Sequence, residues 1–225
     1  MNVNKEMKPT IKNLKKIIGR PNEIDPYAKY FIRPISIWFT WFFVRTPLSA
    51  NHVTIIQEIF GITGGVLFAC GRFVHGAIFL QLGFIMDNSD GEVARWKNQQ
   101  SERGKFLDLV GHMVVIPFYF FGLGLGLYLQ QGNIITLIMG LLAGLFSLKL
   151  EKLITNKDGD LELARHGFFK SLFRYPDSMN IITILAIIDW LFKSNLLFYC
   201  IIIYGFGMTM GRMQQIYKTF YSINN

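Results

Sequence analysis

Asp87-Asn88-Ser89-Asp90-Gly91-Glu92-Val93-Ala94-Arg95, followed after eight residues by Gly104 and then by Asp108 and His112, is the stretch that decides how this chain reads. Asp87 and Asp90, three apart, fall on one face of a helix; Asp108 and His112, four apart, fall on one face of the next. Brought together they make a small oxygen-rich cluster with one nitrogen. Apolar runs lead into Asp87 and out of His112 for roughly a membrane thickness on each side. Ionisable groups at such depth are costly and point to function. Three neighbouring acids repel unless a cation sits among them, and oxygen donors suit a hard divalent ion, magnesium or manganese. The plainer alternative is a pair of helix ends whose acids face water.

Composition sets the class. With 225 residues, 51% of them hydrophobic and 17% charged, the chain is too apolar for an ordinary soluble domain and reads as one polytopic membrane domain. Cys70 and Cys200 lie at the ends of apolar runs, without the spacing of a metal site, and read as packing or lipid-facing residues. The net charge of +8 sits between apolar spans and not along a soluble face. That favours anionic lipid headgroups or phosphate substrates and argues against nucleic acid.

Outward from the central stretch, the sequence predicts an all-α integral membrane protein of six transmembrane helices, preceded by an amphipathic and juxtamembrane helical segment. Residues 1–48 form that segment and 49–225 the membrane domain. Thr10 to Arg20 spaces Ile11, Leu14, Ile17 and Ile18 between lysines, the pattern of an interfacial amphipathic helix. Ile35 to Val44, with Trp38 and Trp41, is too short to span a bilayer and is expected to lie at headgroup level. The spans are expected from Asn51 to about Cys70, Phe73 to Trp96, Gly104 to Leu129, Ile134 to Leu153, Met179 to Phe192 and Leu196 to Gly211, the fifth starting as early as the Tyr175 to Asp177 turn. Gly122, Gly124 and Gly126 are read as helix-packing residues.

Lysine and arginine fall 21 on one side of this topology and 2, Arg72 and Lys193, on the other. By the positive-inside rule both termini and the Asp87 cluster face the cytoplasm, and the chain is expected in the cell membrane. The polar interval from Lys149 to Asp177 supplies much of that charge. Arg165, Arg174 and, further on, Arg212 are the candidates for seating a phosphate, because guanidinium binds phosphate in a bidentate way; the plainer alternative is that each is a positive-inside topology residue.

The central stretch resembles the signature of the CDP-alcohol phosphotransferases: Asp, two residues, Asp-Gly, two residues, Ala-Arg, eight residues, Gly, three residues, Asp, three residues, Asp. Every position matches except the last, where His112 stands in place of aspartate. Ala50-Asn51-His52-Val53-Thr54 is similar to a second stretch of the family, Pro-Asn-x-x-Thr, with Ala50 in place of proline; capping of the helix by Ser49 or Asn51 explains it equally well.

The resemblance implies a membrane transferase that moves a phosphate-linked alcohol group from a CDP-alcohol, such as CDP-diacylglycerol, to a hydroxyl acceptor and releases CMP, as in phospholipid biosynthesis. It implies that Asp87, Asp90 and Asp108 hold one or two magnesium or manganese ions. Asp87, Asp90, Gly91, Ala94, Arg95 and Gly104 would form the nucleotide side, and His112 would take the hydroxyl proton. Membrane lipids are further expected partners, and a homodimer is compatible with the reading. Two other classes are consistent with the residues. One is a catalytically silent member that binds nucleotide or lipid, which the missing aspartate permits. The other is a cation-coupled transporter, which calls for charges on the outer half of the bundle where this sequence has almost none.

Overall fold

The computed structural model describes residues 8–18, 27–147 and 175–223, and all regular structure among them is helical. In chain order the α-helices are α1 (Ile11–Ile18), α2 (Arg33–Phe43), α3 (Ala50–Ala69), α4 (Phe73–Lys97), α5 (Glu102–Gln131), α6 (Ile134–Ser147), α7 (Tyr175–Phe192) and α8 (Leu196–Ile223), with a π-helical turn at Ala28–Ile32 leading into α2. Among the described residues three helices are long and apolar enough to cross a membrane, Ala50–Ala69, Glu102–Gln131 and the Leu196–Gln214 part of α8. α4 has the length at 25 residues, but its C-terminal half carries Asp87, Asp90, Glu92, Arg95 and Lys97. α7 does start at Tyr175, as the longer reading of the fifth span expected. The remainder of the fourth span after Ser147 and most of the Lys149 to Asp177 interval lie outside the described residues.

The chain divides into two compact units, one formed by the described residues up to Phe60 with Leu82–His112, the other by Gly61–Gln81 with the described residues from Met113 onward. In the first unit the amphipathic pattern of α1 is spent on protein: Leu14 and Ile18 are buried with Ile37 and Trp96, and Ile11, Ile17, Trp41 and Val44 pack around them. α2 turns Ile35, Trp38 and Phe42 outward, all more than two-fifths exposed.

Polar groups fix α2 to α4. Glu92 is buried, and its carboxylate accepts hydrogen bonds from Thr40 Oγ1 (2.6 Å), Ser36 Oγ (3.1 Å) and Arg33 Nη1 (3.3 Å). The three donors recur along one face of α2, so a single buried acid reads out the register of that helix. Lys97 does the complementary task at the other end, donating from Nζ to the carbonyls of Phe43 (3.1 Å), Thr46 (2.8 Å) and Leu48 (2.6 Å), at the last residue of α2 and in the turn that follows it.

The link from α4 to α5 is tightly specified. Asn98 adopts a positive φ of 55°, and the N–H of Gln99 returns to the Ala94 carbonyl at 2.9 Å, a left-handed stop for which Asn is suited. Gln99 also accepts the N–H of Ala50 (3.0 Å), tying the link to the start of α3. Ser101 then caps α5, its Oγ accepting the N–H of Gly104 at 3.1 Å.

In the second unit small residues let backbones meet, the usual device where lipid offers no hydrophobic drive between helices. A Cβ on Gly124 would lie 2.6 Å from the Thr136 carbonyl oxygen, and Gly122 and Gly126 abut the carbonyls of Gly65 and Phe68. The three glycines are packing residues, as the sequence suggested. Gly205 on α8 closes in the same way on Met139 of α6. Tyr119, Phe120, Leu123, Ile182 and Ile201 fill the core of this unit, and Tyr119 Oη and Ser178 Oγ hydrogen-bond at 2.8 Å within it. Gln81 Nε2 donates to Asn180 Oδ1 (3.1 Å) and Thr183 Oγ1 (3.0 Å), so the polar side chains of α4 and α7 satisfy each other.

Candidate functional site

The cluster is assembled in the first unit from α3, α4 and the start of α5. α3 offers Thr54, Gln57 and Glu58 at i, i+3 and i+4, one face of a helix. Thr54 Oγ1 donates to Asp90 Oδ2 at 2.6 Å, and Gln57 Nε2 donates to Asp87 Oδ1 at 3.2 Å; Thr54 and Gln57 are both buried. The hydroxyl and the amide thus orient the two signature acids of α4, which lie three residues apart. The Pro-Asn-x-x-Thr likeness therefore marks a residue that touches the site; at the start of α3 the N–H of Ser49 donates to His52 Nδ1 at 3.2 Å.

Asp108 and His112 sit one turn apart on α5, as their spacing requires. His112 Nδ1 lies 2.9 Å from the Asp108 carbonyl oxygen and 3.1 Å from Asp108 Oδ1, and Nε2 lies 3.5 Å from Asp87 Oδ1. A carbonyl oxygen only accepts, so Nδ1 carries a proton, and Nε2 faces the Asp87 carboxylate, to which it donates when the ring is protonated. Asp87, Asp108 and His112 each bring a ligand atom within 4.8 Å of the other two. Asp90 is outside that trio; its buried carboxylate stands beside it, within electrostatic reach of Asp87 and Asp108, and is held by Thr54.

The donor chemistry fits a divalent cation. Two carboxylates and an imidazole converge, a third carboxylate adjoins them, and two neighbouring oxygens, Gln57 Oε1 and Glu58 Oε1, are buried without a hydrogen-bond donor. Buried acceptors left without donors call for a positive partner.

Gly91, Ala94 and Arg95 follow on α4, the first two half-buried beside Asp90, and Gly104 lies in the first turn of α5 against Asn51 and Ser101. Arg212 is placed on α8 and is partly exposed, whereas Arg165 and Arg174 lie outside the described residues. Sequence reasoning passed over Gln57, Glu58 and Glu92. The available signal for the first two was a polar pair inside the otherwise apolar α3, since intramembrane ionisable residues point to function by default. Next to the cluster in sequence, Met86 joins Trp38, Phe39, Phe42, Phe43, Ile56 and Phe60 around an apolar pocket of about 390 Å³.

Comparison with known proteins bears on this geometry. The profile of the CDP-alcohol phosphatidyltransferase family matches residues 47–210. The chain is similar to the bifunctional IPC transferase and DIPP synthase of Rubrobacter xylanophilus, 38% identical over 63 residues, 28% of this chain and 14% of that protein. It is also similar to the phosphatidylinositol phosphate synthase of Streptomyces avermitilis, 31% identical over 86 residues, 38% of this chain and 35% of that one. These matches span well under half of either relative. Among solved structures, the Mycobacterium tuberculosis phosphatidylinositol phosphate synthase with CDP-DAG bound superposes with a TM-score of 0.62 at 19% identity, covering 83% of this chain and 92% of that one, a likeness of fold.

Proposed function

The chain belongs to the CDP-alcohol phosphatidyltransferase family, and we propose that it transfers a phosphate-linked alcohol group, phosphatidyl by preference, from a CDP-alcohol such as CDP-diacylglycerol to a hydroxyl acceptor, releasing CMP. The observation that carries this reading is the convergence of Asp87, Asp108 and His112, with Asp90 beside them, in a helical chain built to cross a membrane.

In this reading Asp87, Asp90 and Asp108 hold magnesium or manganese, which when bound neutralises charge on the pyrophosphate of the donor. Thr54 and Gln57 keep Asp90 and Asp87 in place. Gly91 and Ala94 leave the α4 surface bare enough for a nucleotide to approach, with Arg95 and Gly104 completing that side. His112 accepts the proton of the acceptor hydroxyl at Nε2 as its oxygen bonds to phosphorus, and the bond from phosphorus to the CMP oxygen breaks. The pocket behind Met86 seats an apolar chain of the donor. Arg165, Arg174 and Arg212 are proposed to serve a phosphate on the acceptor. Incubation of the purified protein with magnesium, CDP-diacylglycerol and a panel of hydroxyl acceptors should release CMP only when both substrates are present. Absence of CMP release with every acceptor and with either metal would favour a silent nucleotide- or lipid-binding member.

We assign the chain six spans, with residues 1–48 as a juxtamembrane segment, residues 49–225 as the membrane domain, and both termini and the site on the cytoplasmic side. The 21 to 2 division of basic residues supports this. In a Cys70→Ser, Cys200→Ser background, a cysteine replacing Gln131 should react with an impermeant thiol reagent in intact cells and one replacing Gln100 should not. Gln131 is preferred to its neighbour because Gly132 has a φ of +69° that a side chain would strain. The opposite labelling pattern would put the site outside and remove the access to cytoplasmic nucleotide on which the function depends.

A further inference from the structure

We propose that Glu58 is a carboxylate ligand of the divalent cation at the Asp87, Asp108 and His112 cluster, replacing from α3 the acid that the chain lacks at position 112. The inference rests on the metal reading given above. Glu58 follows Thr54 by one helical turn and adjoins Gln57, the two residues that hold Asp90 and Asp87, so it issues from the face of α3 already turned to the cluster. Its carboxyl lies on bare backbone at Gly111: a Cβ there would collide with Glu58 Oε1 and stand 2.7 Å from Cδ and Cγ. Gly111 is three residues after Asp108 and directly before His112, so the carboxyl rests against the turn of α5 that carries both. The charges of Asp108 and His112 act on it across that turn.

One oxygen of this carboxyl, Oε1, is buried and accepts no hydrogen bond. A carboxylate oxygen taken from water without a donor, next to another carboxylate, is costly. A cation placed among them removes both costs, because it serves as the missing partner and screens the like charges. With Glu58 counted, the acids at the site are Asp87, Asp90, Asp108 and Glu58, the number that the aligned signature provides with its final aspartate. His112 Nε2 is then left to handle a proton.

Binding of Mn2+ to the full-length protein in detergent, followed by the electron paramagnetic resonance of the free ion, tests this without reference to turnover. Glu58→Gln should weaken Mn2+ binding by at least about tenfold. Gly111→Ala should weaken it comparably, since the methyl group displaces the carboxyl. Glu58→Gln combined with His112→Asp should recover most of the loss, because a carboxylate returns to the site from α5. Without metal, Glu58→Gln should melt at or above the wild-type temperature, a buried like charge having been removed. Wild-type Mn2+ affinity in Glu58→Gln, or a loss that His112→Asp does not recover, or a lowered metal-free melting temperature, would each overturn the assignment. Asp87→Asn separates the two levels. If it abolishes binding while Glu58→Gln leaves binding intact, the Glu58 role alone is lost; if it too leaves binding intact, the metal reading falls and Glu58 with it.

Discussion

Replacing Asp87 or Asp108 by alanine is expected to reduce CMP release by about a thousandfold or more, with the protein still folded in detergent. Each contributes a carboxylate oxygen to the trio that lies within 4.8 Å. Loss of a metal ligand forfeits several kcal/mol of transition-state stabilisation, and each ~1.4 kcal/mol is tenfold in rate. Folding should survive because the Gln57 hydrogen bond to Asp87 is long at 3.2 Å, in contrast to Glu92 with its three donors from α2. Asp90→Ala is expected to be equally inactive for a partly different reason, since it also strands the buried Thr54 hydroxyl. The check is a CMP assay over a magnesium series, with gel filtration and melting alongside. Normal turnover in Asp87→Ala or Asp108→Ala would sink the metal site.

His112 gives the second large effect. Alanine at this position should lower kcat/KM by about a hundredfold to ten-thousandfold, the usual contribution of a positioned general base. Its Nδ1 is committed to the Asp108 carbonyl at 2.9 Å, which leaves Nε2 to take a proton beside Asp87. A base works only when unprotonated, so wild-type activity should rise with pH as the imidazole loses its proton, whereas an aspartate, ordinarily near about 3.9, stays a base to lower pH. His112→Asp should therefore retain turnover, carry it to more acidic conditions and, by adding a negative charge, lower the magnesium needed. Profiles of CMP release against pH and magnesium decide the matter: full activity in His112→Ala with an unchanged profile would show that the ring does no chemistry.

How much of this was legible in the sequence depended on whether contacts are local. Asp108 and His112 are four apart on one helix, and helical spacing alone places them together. The glycines of α5 follow from the same kind of reasoning, since close helix approach has a compositional signature. Asp87 meets them only through tertiary packing, and there the resemblance supplied what spacing could not. Glu58 and Gln57 were missed because their partners lie about thirty or more residues away in chain order, on α4 and α5, and no periodicity encodes that. Glu92 was passed over because nothing local shows that Ser36 and Thr40, more than fifty residues earlier, aim hydroxyls at it. The α1 pattern was read correctly as amphipathic, but the surface its apolar face would cover was not written in the pattern; Trp96 and Ile37 claim it.

The Glu92 junction also bears on how the chain could be shortened. A version starting at α3 would delete Arg33, Ser36 and Thr40 and leave a carboxylate deep in α4, two residues from Asp90, with all of these donors gone; breaking a buried pair on one side alone costs about 3–5 kcal/mol. Lys97 would at the same time lose the carbonyls that hold its ammonium. The stretch before residue 49 therefore acts as a brace for α4, and removing it should misalign Asp87 and Asp90 without altering either one.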